Sequence, residues 1–106
     1  MAKYLSTPGE FSTALESAGD KLVVVDFTAK WCGPCKSIAP EYDSLVQTYP
    51  DILFYKVDVD ENDDVAEKYD IQAMPTFIIF RNKQKLERSR GADIEKVKEM
   101  IKKNQK

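Results

Sequence analysis

The sequence predicts an α/β fold, a single domain over residues 1–106 with a five-stranded mixed sheet flanked by four helices. Three observations predict it. Strand-like and helix-like segments alternate in the order βαβαβαββα. The early strand-like runs are joined by helical stretches, which suits parallel pairing, because parallel strands need a long crossover. The last two runs, "TFIIF" and "KLERSR", are separated only by "RNKQ", which suits an antiparallel hairpin.

Each element has its own signal. "KYL" (3–5) is a weak first strand. Thr7, Pro8 and Glu10 read as an N-cap, a first-turn proline and a capping box. Phe11, Ala14, Leu15 and Ala18 recur at helical spacing, and Gly19 ends that helix. "KLVVVDFTA" (21–29) is a continuous apolar run rich in β-branched residues, suited to a central strand covered on both faces. From Pro34 to Tyr49, the residues Ile38, Tyr42, Leu45, Val46 and Tyr49 form a helical stripe. Pro40 lies inside it, removes a backbone hydrogen bond and is expected to bend the helix that carries the cysteines. "ILFYKVDV" (52–59) is a strand, and "ENDDVAEKY" (61–69) a short helix with an acidic start. "TFIIF" (76–80) and "KLERSR" (85–90) are the hairpin strands. "DIEKVKEMIKK" (93–103) puts Ile94, Val97, Met100 and Ile101 on one face, with lysines at the C-terminal end where they suit the helix dipole.

Composition excludes several classes. Lys and Arg total 16, Asp and Glu 18, for a net charge of −2, so no general basic face for nucleic acid is expected. A polybasic membrane anchor is disfavoured too, and no apolar run approaches the ~20 residues of a membrane span. The early lysine is not followed by an apolar block, so no secretory signal is read. The expected setting is therefore a reducing, cytoplasmic one. There is no histidine, which removes His-based acid–base catalysis, Cys–His nucleophiles and His metal sites. "DVDENDD" (58–64) invites a calcium reading and fails it: Asp63 stands where an EF-hand needs Gly, and Tyr69 where it needs the closing Glu.

Both cysteines, Cys32 and Cys35, sit in "WCGPC". A structural zinc site wants four Cys or His ligands, and this chain offers two, so no metal site is expected. A purely structural disulfide across so short a loop removes little entropy from the unfolded chain. A redox couple fits better. Positions i and i+3 in a helical turn have Cβ atoms ~5–6 Å apart, within disulfide reach. Cys32 just before the helix, with Gly33 and Pro34 in its first turn, would face unpaired N–H groups that favour a thiolate. Cys35, one turn in, is expected to be the more buried thiol. Cys32 is then the attacking sulfur and Cys35 the resolving one. Asp26 interrupts the apolar run, and a carboxyl buried there would have a raised pKa. Lys56, on a strand expected beside it, is the expected partner of Asp26.

"DFTAKWCGPCKSIAPEYDSL", "FYKVDVDEN", "MPTF" and "RGAD" together resemble the thioredoxin family over essentially the whole chain. Thr rather than a second Trp before Ala29, and "AMPTF" ahead of the hairpin, look more like the eukaryotic cytosolic members. The resemblance implies the thioredoxin fold and reduction of protein disulfides through Cys32 and Cys35. It implies no bound cofactor, with electrons from NADPH through thioredoxin reductase. Disulfide-bearing partners of the kind of peroxiredoxins, ribonucleotide reductase or methionine sulfoxide reductase would follow, on a monomer. It assigns Asp26 the proton of Cys35, and makes the Met74–Pro75 bond cis, lying against the cysteine turn. It makes Trp31, Gly33, Pro34, Met74, Gly91 and Ala92 the contact surface around Cys32. An oxidase or isomerase of this fold would usually place His between the cysteines, where this chain has Gly33 and Pro34. A binding module built on the same surface would not need the two cysteines, Asp26 and Pro75 together. Two residues depart from the family pattern: Lys83 replaces the usual Gly of the hairpin turn, and Arg90 puts a positive charge beside Gly91.

Overall fold

The computed structural model describes residues 2–105; Met1 and Lys106, the ends of the domain expected over 1–106, lie outside the described residues. Nine elements follow in order: β1 (Lys3–Tyr4), α1 (Pro8–Ser17), β2 (Val23–Thr28), α2 (Gly33–Thr48), β3 (Leu53–Asp58), α3 (Asp63–Lys68), β4 (Thr76–Arg81), β5 (Gln84–Arg90) and α4 (Ile94–Asn104). The strands form one sheet in the order β1-β3-β2-β4-β5. β3 pairs in parallel with both β1 and β2, while β4 runs antiparallel to β2 and to β5. The expected mixed sheet with a terminal hairpin is what forms.

Alternation along β2 sorts its side chains. Val23, Val25 and Phe27 point to one face and pack with Phe11, Leu15 and Val65 of α1 and α3. Val24 points to the other, where Tyr42, Leu45, Val97 and Ile101 of α2 and α4 cover it together with Phe77 and Ile79. Strand side chains alternate with period two, so Asp26 falls on the α2 side with Val24. The same parity along β3 sends Phe54 and Lys56 to the α2 side and Val57 to the other. The register then sets Asp26 directly beside Lys56. Helix α2, which carries the cysteines, lies over that face and is anchored by Tyr42. The Tyr42 ring is fully buried, and its hydroxyl reaches the carbonyl oxygens of Tyr55 (2.8 Å) and Val24 (3.1 Å). Such a ring contributes on the order of 2 kcal/mol by burial alone.

Some boundaries differ from the sequence expectation for local reasons. Thr7 caps α1 as expected, accepting from the Glu10 N–H at 3.1 Å, but the Glu10 carboxylate accepts from the N–H of Ser6 rather than that of Thr7. Gly19, at φ 61°, follows the helix end. Helix α3 begins two residues later than expected. The Asp58 carboxylate accepts from the N–H groups of Asp60 (2.9 Å) and Glu61 (3.3 Å) and holds those residues in a turn. Helix α2 is continuous through Pro40, which leaves the Lys36 carbonyl without its usual donor.

The hairpin turn between β4 and β5 is made by Asn82 and Lys83 at φ 53° and 68°. Asn tolerates the left-handed region; a β-carbon at Lys83 is strained there, by roughly 1–2 kcal/mol. Lys83→Gly is expected to raise stability by ~0.5–1 kcal/mol, net of glycine's greater freedom when unfolded. Urea unfolding checks this, and an unchanged or lower midpoint would contradict it.

Candidate active site

The strand β2 ends at Thr28, and the chain crosses through Ala29, Lys30 and Trp31 to the first turn of α2. Cys32 is the N-cap of that helix, with Gly33 and Pro34 in the first turn. Cys32 and Cys35 form a disulfide with Cα atoms 5.3 Å apart. The expected difference in burial is not found: Cys32 is 5% exposed and Cys35 4%. Both sulfurs sit in a small apolar nest with Ala29, Val59 and Met74, so neither projects into solvent. Their difference is electrostatic. The backbone N–H of Cys35 donates to the Cys32 sulfur at 3.2 Å, an N-cap contact made by sulfur in place of oxygen. After reduction, that N–H and the helix N-terminus favour negative charge on Cys32.

Around Cys32 the predicted contact residues come together. The Met74–Pro75 bond is cis, and the Met74 carbonyl oxygen lies 3.6 Å from the Cys32 sulfur. Gly91, at φ 104°, donates its N–H to the Pro75 carbonyl at 2.8 Å, which ties the end of β5 to this loop. A side chain is strained at that φ, so Gly suits position 91. Gly33, Pro34 and Ala92 are exposed, and Met74 is half-buried. Trp31 is 66% exposed, an unusual place for so large an apolar ring, and its indole N–H donates to Asp60 at 2.8 Å. Arg90, also exposed, stands one residue before Gly91. Pro40 is on the exposed side of α2, more than a turn beyond Cys35.

Behind the disulfide, a cavity of about 300 Å³ connects Cys35 with Asp26, Lys56 and Tyr4. Asp26 is 3% exposed and its Oδ1 has no hydrogen-bond partner. Burial raises its pKa to about 7, against the opposing pull of Lys56 and with a smaller push from Asp43. Lys56 is where the sequence reading needs correction. It does lie beside Asp26 in register, but its ammonium pairs with Asp43 at 3.3 Å, not with Asp26. Asp43 reaches it because α2 crosses over β3, and the Tyr4 ring lies 5.6 Å from the Lys56 nitrogen. Asp43 is a residue that the sequence patterns leave unmarked. Its signal is helical: 35, 39 and 43 follow at steps of four, so Asp43 lies two turns along the face that carries Cys35 and Ala39.

A small surface built on a cis-proline loop, two cysteines at a helix start and a carboxyl beneath them agrees with comparison to known proteins. The thioredoxin family model matches residues 3–103. The chain belongs to the thioredoxin family. Thioredoxin of Geodia cydonium is 52% identical over 98% of this chain and 99% of its own length. Thioredoxin of Homo sapiens is 46% identical over 95% of this chain and 96% of its own. The X-ray structure of Fasciola hepatica thioredoxin superposes with a TM-score of 0.95 at 38% identity, covering 97% of this chain and 99% of that one. The fold is the thioredoxin fold, and the Cys32–Cys35 pair makes this thioredoxin-family protein a thiol–disulfide oxidoreductase that acts on protein disulfides.

Among the described residues no three His, Cys, Asp or Glu side chains gather in a way that could hold a metal ion. No helix among them is long and apolar enough to cross a membrane.

Proposed function

We propose that the protein reduces protein disulfides in a fixed order of sulfurs. The Cys32 thiolate attacks one sulfur of the partner's disulfide, and the other partner sulfur leaves as a thiolate. Cys35 gives its proton to the Asp26 carboxylate, through the cavity between them, and attacks the Cys32 sulfur. The Cys32–partner bond breaks, the second partner sulfur leaves as a thiolate, and Cys32–Cys35 is left as the disulfide. Two electrons have passed to the partner. The observation that carries this order is the Cys35 N–H directed at the Cys32 sulfur at the start of α2, which stabilises charge on one sulfur of two equally buried ones. Asp26 suits its part because a base acts best when its pKa lies near the working pH.

The partner's chain would lie across Trp31, Met74, Pro75, Gly91 and Ala92, with Gly33 and Pro34 keeping the rim low. Main-chain pairing with the Met74 loop would give affinity without demanding a particular sequence. Recharging is assigned to thioredoxin reductase with NADPH, in a reducing, cytoplasmic setting, with the protein acting as a monomer. Peroxiredoxins are a reasonable partner class. One similar solved chain (TM-score 0.89, 35% identical) comes from work on the thiol-resolving mechanism of a yeast mitochondrial 1-Cys peroxiredoxin via glutathione/thioredoxin systems. Ribonucleotide reductase and methionine sulfoxide reductase are the other partner classes assigned. A coupled assay tests the scheme. With thioredoxin reductase, NADPH and insulin, NADPH oxidation is expected to depend on this protein and to be catalytic in it. Insulin reduction with dithiothreitol but none with the reductase would remove the recharging step and keep the rest.

A further inference from the structure

Lys56 stands between two carboxylates and binds one of them. It is beside Asp26 in the sheet, yet its ammonium is 3.3 Å from Asp43. Its side chain is only 9% exposed and that of Asp43 20%, so the pair is largely shielded from solvent. The Asp43 carboxylate is itself held, accepting from the Ala2 N–H at 3.3 Å. The Tyr4 ring lies 5.6 Å from the ammonium nitrogen. Asp26, meanwhile, keeps a buried oxygen with no partner at all.

We propose that Asp43 is a positioning residue for the reaction: by binding the Lys56 ammonium it keeps that charge off Asp26, and so leaves Asp26 free to take and return a proton. A carboxylate paired directly with a buried lysine would be a weaker base, because an opposite charge within ~4–6 Å lowers its pKa by ~1–3 units. Held on Asp43, Lys56 still attracts the Asp26 charge, but from farther away. The other groups facing Asp26 do not take over this part. From α2 come Cys35 and, at the cavity wall, Lys36; Tyr42 is buried with its hydroxyl committed to backbone carbonyls. The segment before α2 brings Lys30 and β1 brings Tyr4. From β4 the register places Phe77, which is apolar, opposite Asp26. Asp58, farther along β3, has its carboxylate engaged by the turn that follows it.

The inference rests on Asp26 being the proton acceptor for Cys35, and its test keeps the two claims apart. The Asp26 carboxyl is titrated by carbon-13 NMR in the oxidised, full-length protein. Asp43→Asn is expected to lower its midpoint by about one pH unit as Lys56 turns to Asp26, while Asp43→Glu keeps it near the wild-type value. With Lys56→Met also present, Asp43→Asn is expected to move the midpoint by less than half as much. An Asp26 midpoint that Asp43→Asn leaves in place overturns the proposal, and so does a displacement of equal size with and without Lys56. Release of a partner from the mixed disulfide, followed against pH, addresses the other claim. Release that tracks the Asp26 midpoint across these variants supports the proton transfer, and release indifferent to it overturns the role of Asp26.

Discussion

Cys32→Ser is expected to abolish disulfide reduction, and Cys35→Ser to stop turnover while accumulating a covalent adduct with the partner. The two outcomes differ because the tasks proposed for the two sulfurs differ. Without Cys32 no thiolate forms at the helix start, and no mixed disulfide can be made. Without Cys35 the first displacement still occurs, and nothing nearby can release the product. Serine is nearly isosteric and the sites are enclosed, so both variants should keep the fold. In a turnover assay both losses should reach the background of the assay. Only Cys35→Ser should show, on a non-reducing gel, a partner-linked species that dithiothreitol dissolves. Loss of activity in both variants with no adduct in either would remove the assignment of attacking and resolving sulfurs.

The largest expected effect on stability comes from Asp26, and it depends on pH. Its carboxyl has a pKa of about 7 in the folded protein against an ordinary value of 3.8. Below pH 3.8 it is protonated in both states and costs nothing on this account. Between 3.8 and about 7 the folded state holds a proton that the unfolded state has lost, so stability falls as pH rises. Above pH 7 the loss is complete and constant. At ~1.4 kcal/mol per pH unit the displacement withholds roughly 4 kcal/mol. Asp26→Asn removes that dependence. The buried amide brings its own cost, about 1–3 kcal/mol if its polar atoms stay unpaired, but that cost does not change with pH. The stability of the variant relative to the wild type is therefore expected to climb by roughly 4 kcal/mol between pH 3.5 and pH 8.5. Urea unfolding of the oxidised proteins at the two pH values measures it. A relative stability that stays level across that interval would show that Asp26 titrates normally.

Much of this site can be read in the chain because local signals carry it. A cysteine at a helix start, a carboxyl inside an apolar strand and a proline at a strand entry each break a pattern, and each break marks a residue that lies at the candidate site. Strand parity does the rest, since Asp26 and Lys56 share a face once β2 and β3 pair in parallel. Asp43 breaks no pattern: a polar residue on a helix, next to the buried Tyr42, is ordinary until the helix is laid over β3. Its partner is chosen by the crossing of two elements, which no window of sequence records. The equal burial of the cysteines has a similar origin. It depends on Ala29, Val59 and Met74 closing over both sulfurs from three different segments. The late start of α3 is local too: the Asp58 carboxylate holds Asp60 and Glu61 in a turn, and the helix begins only after it. Lys83 is the opposite case, a departure visible in the sequence whose strain appears only when the turn's φ angles are known.

The helix start is expected to make two equally buried sulfurs unequal. The rate at which iodoacetamide alkylates each thiol of the reduced protein, followed against pH and assigned by mass spectrometry, tests it most directly. Cys32 is expected to react first and to keep reacting at a pH where Cys35 has become inert. Equal rates at both sulfurs across the pH range, or Cys35 reacting first, would contradict the account.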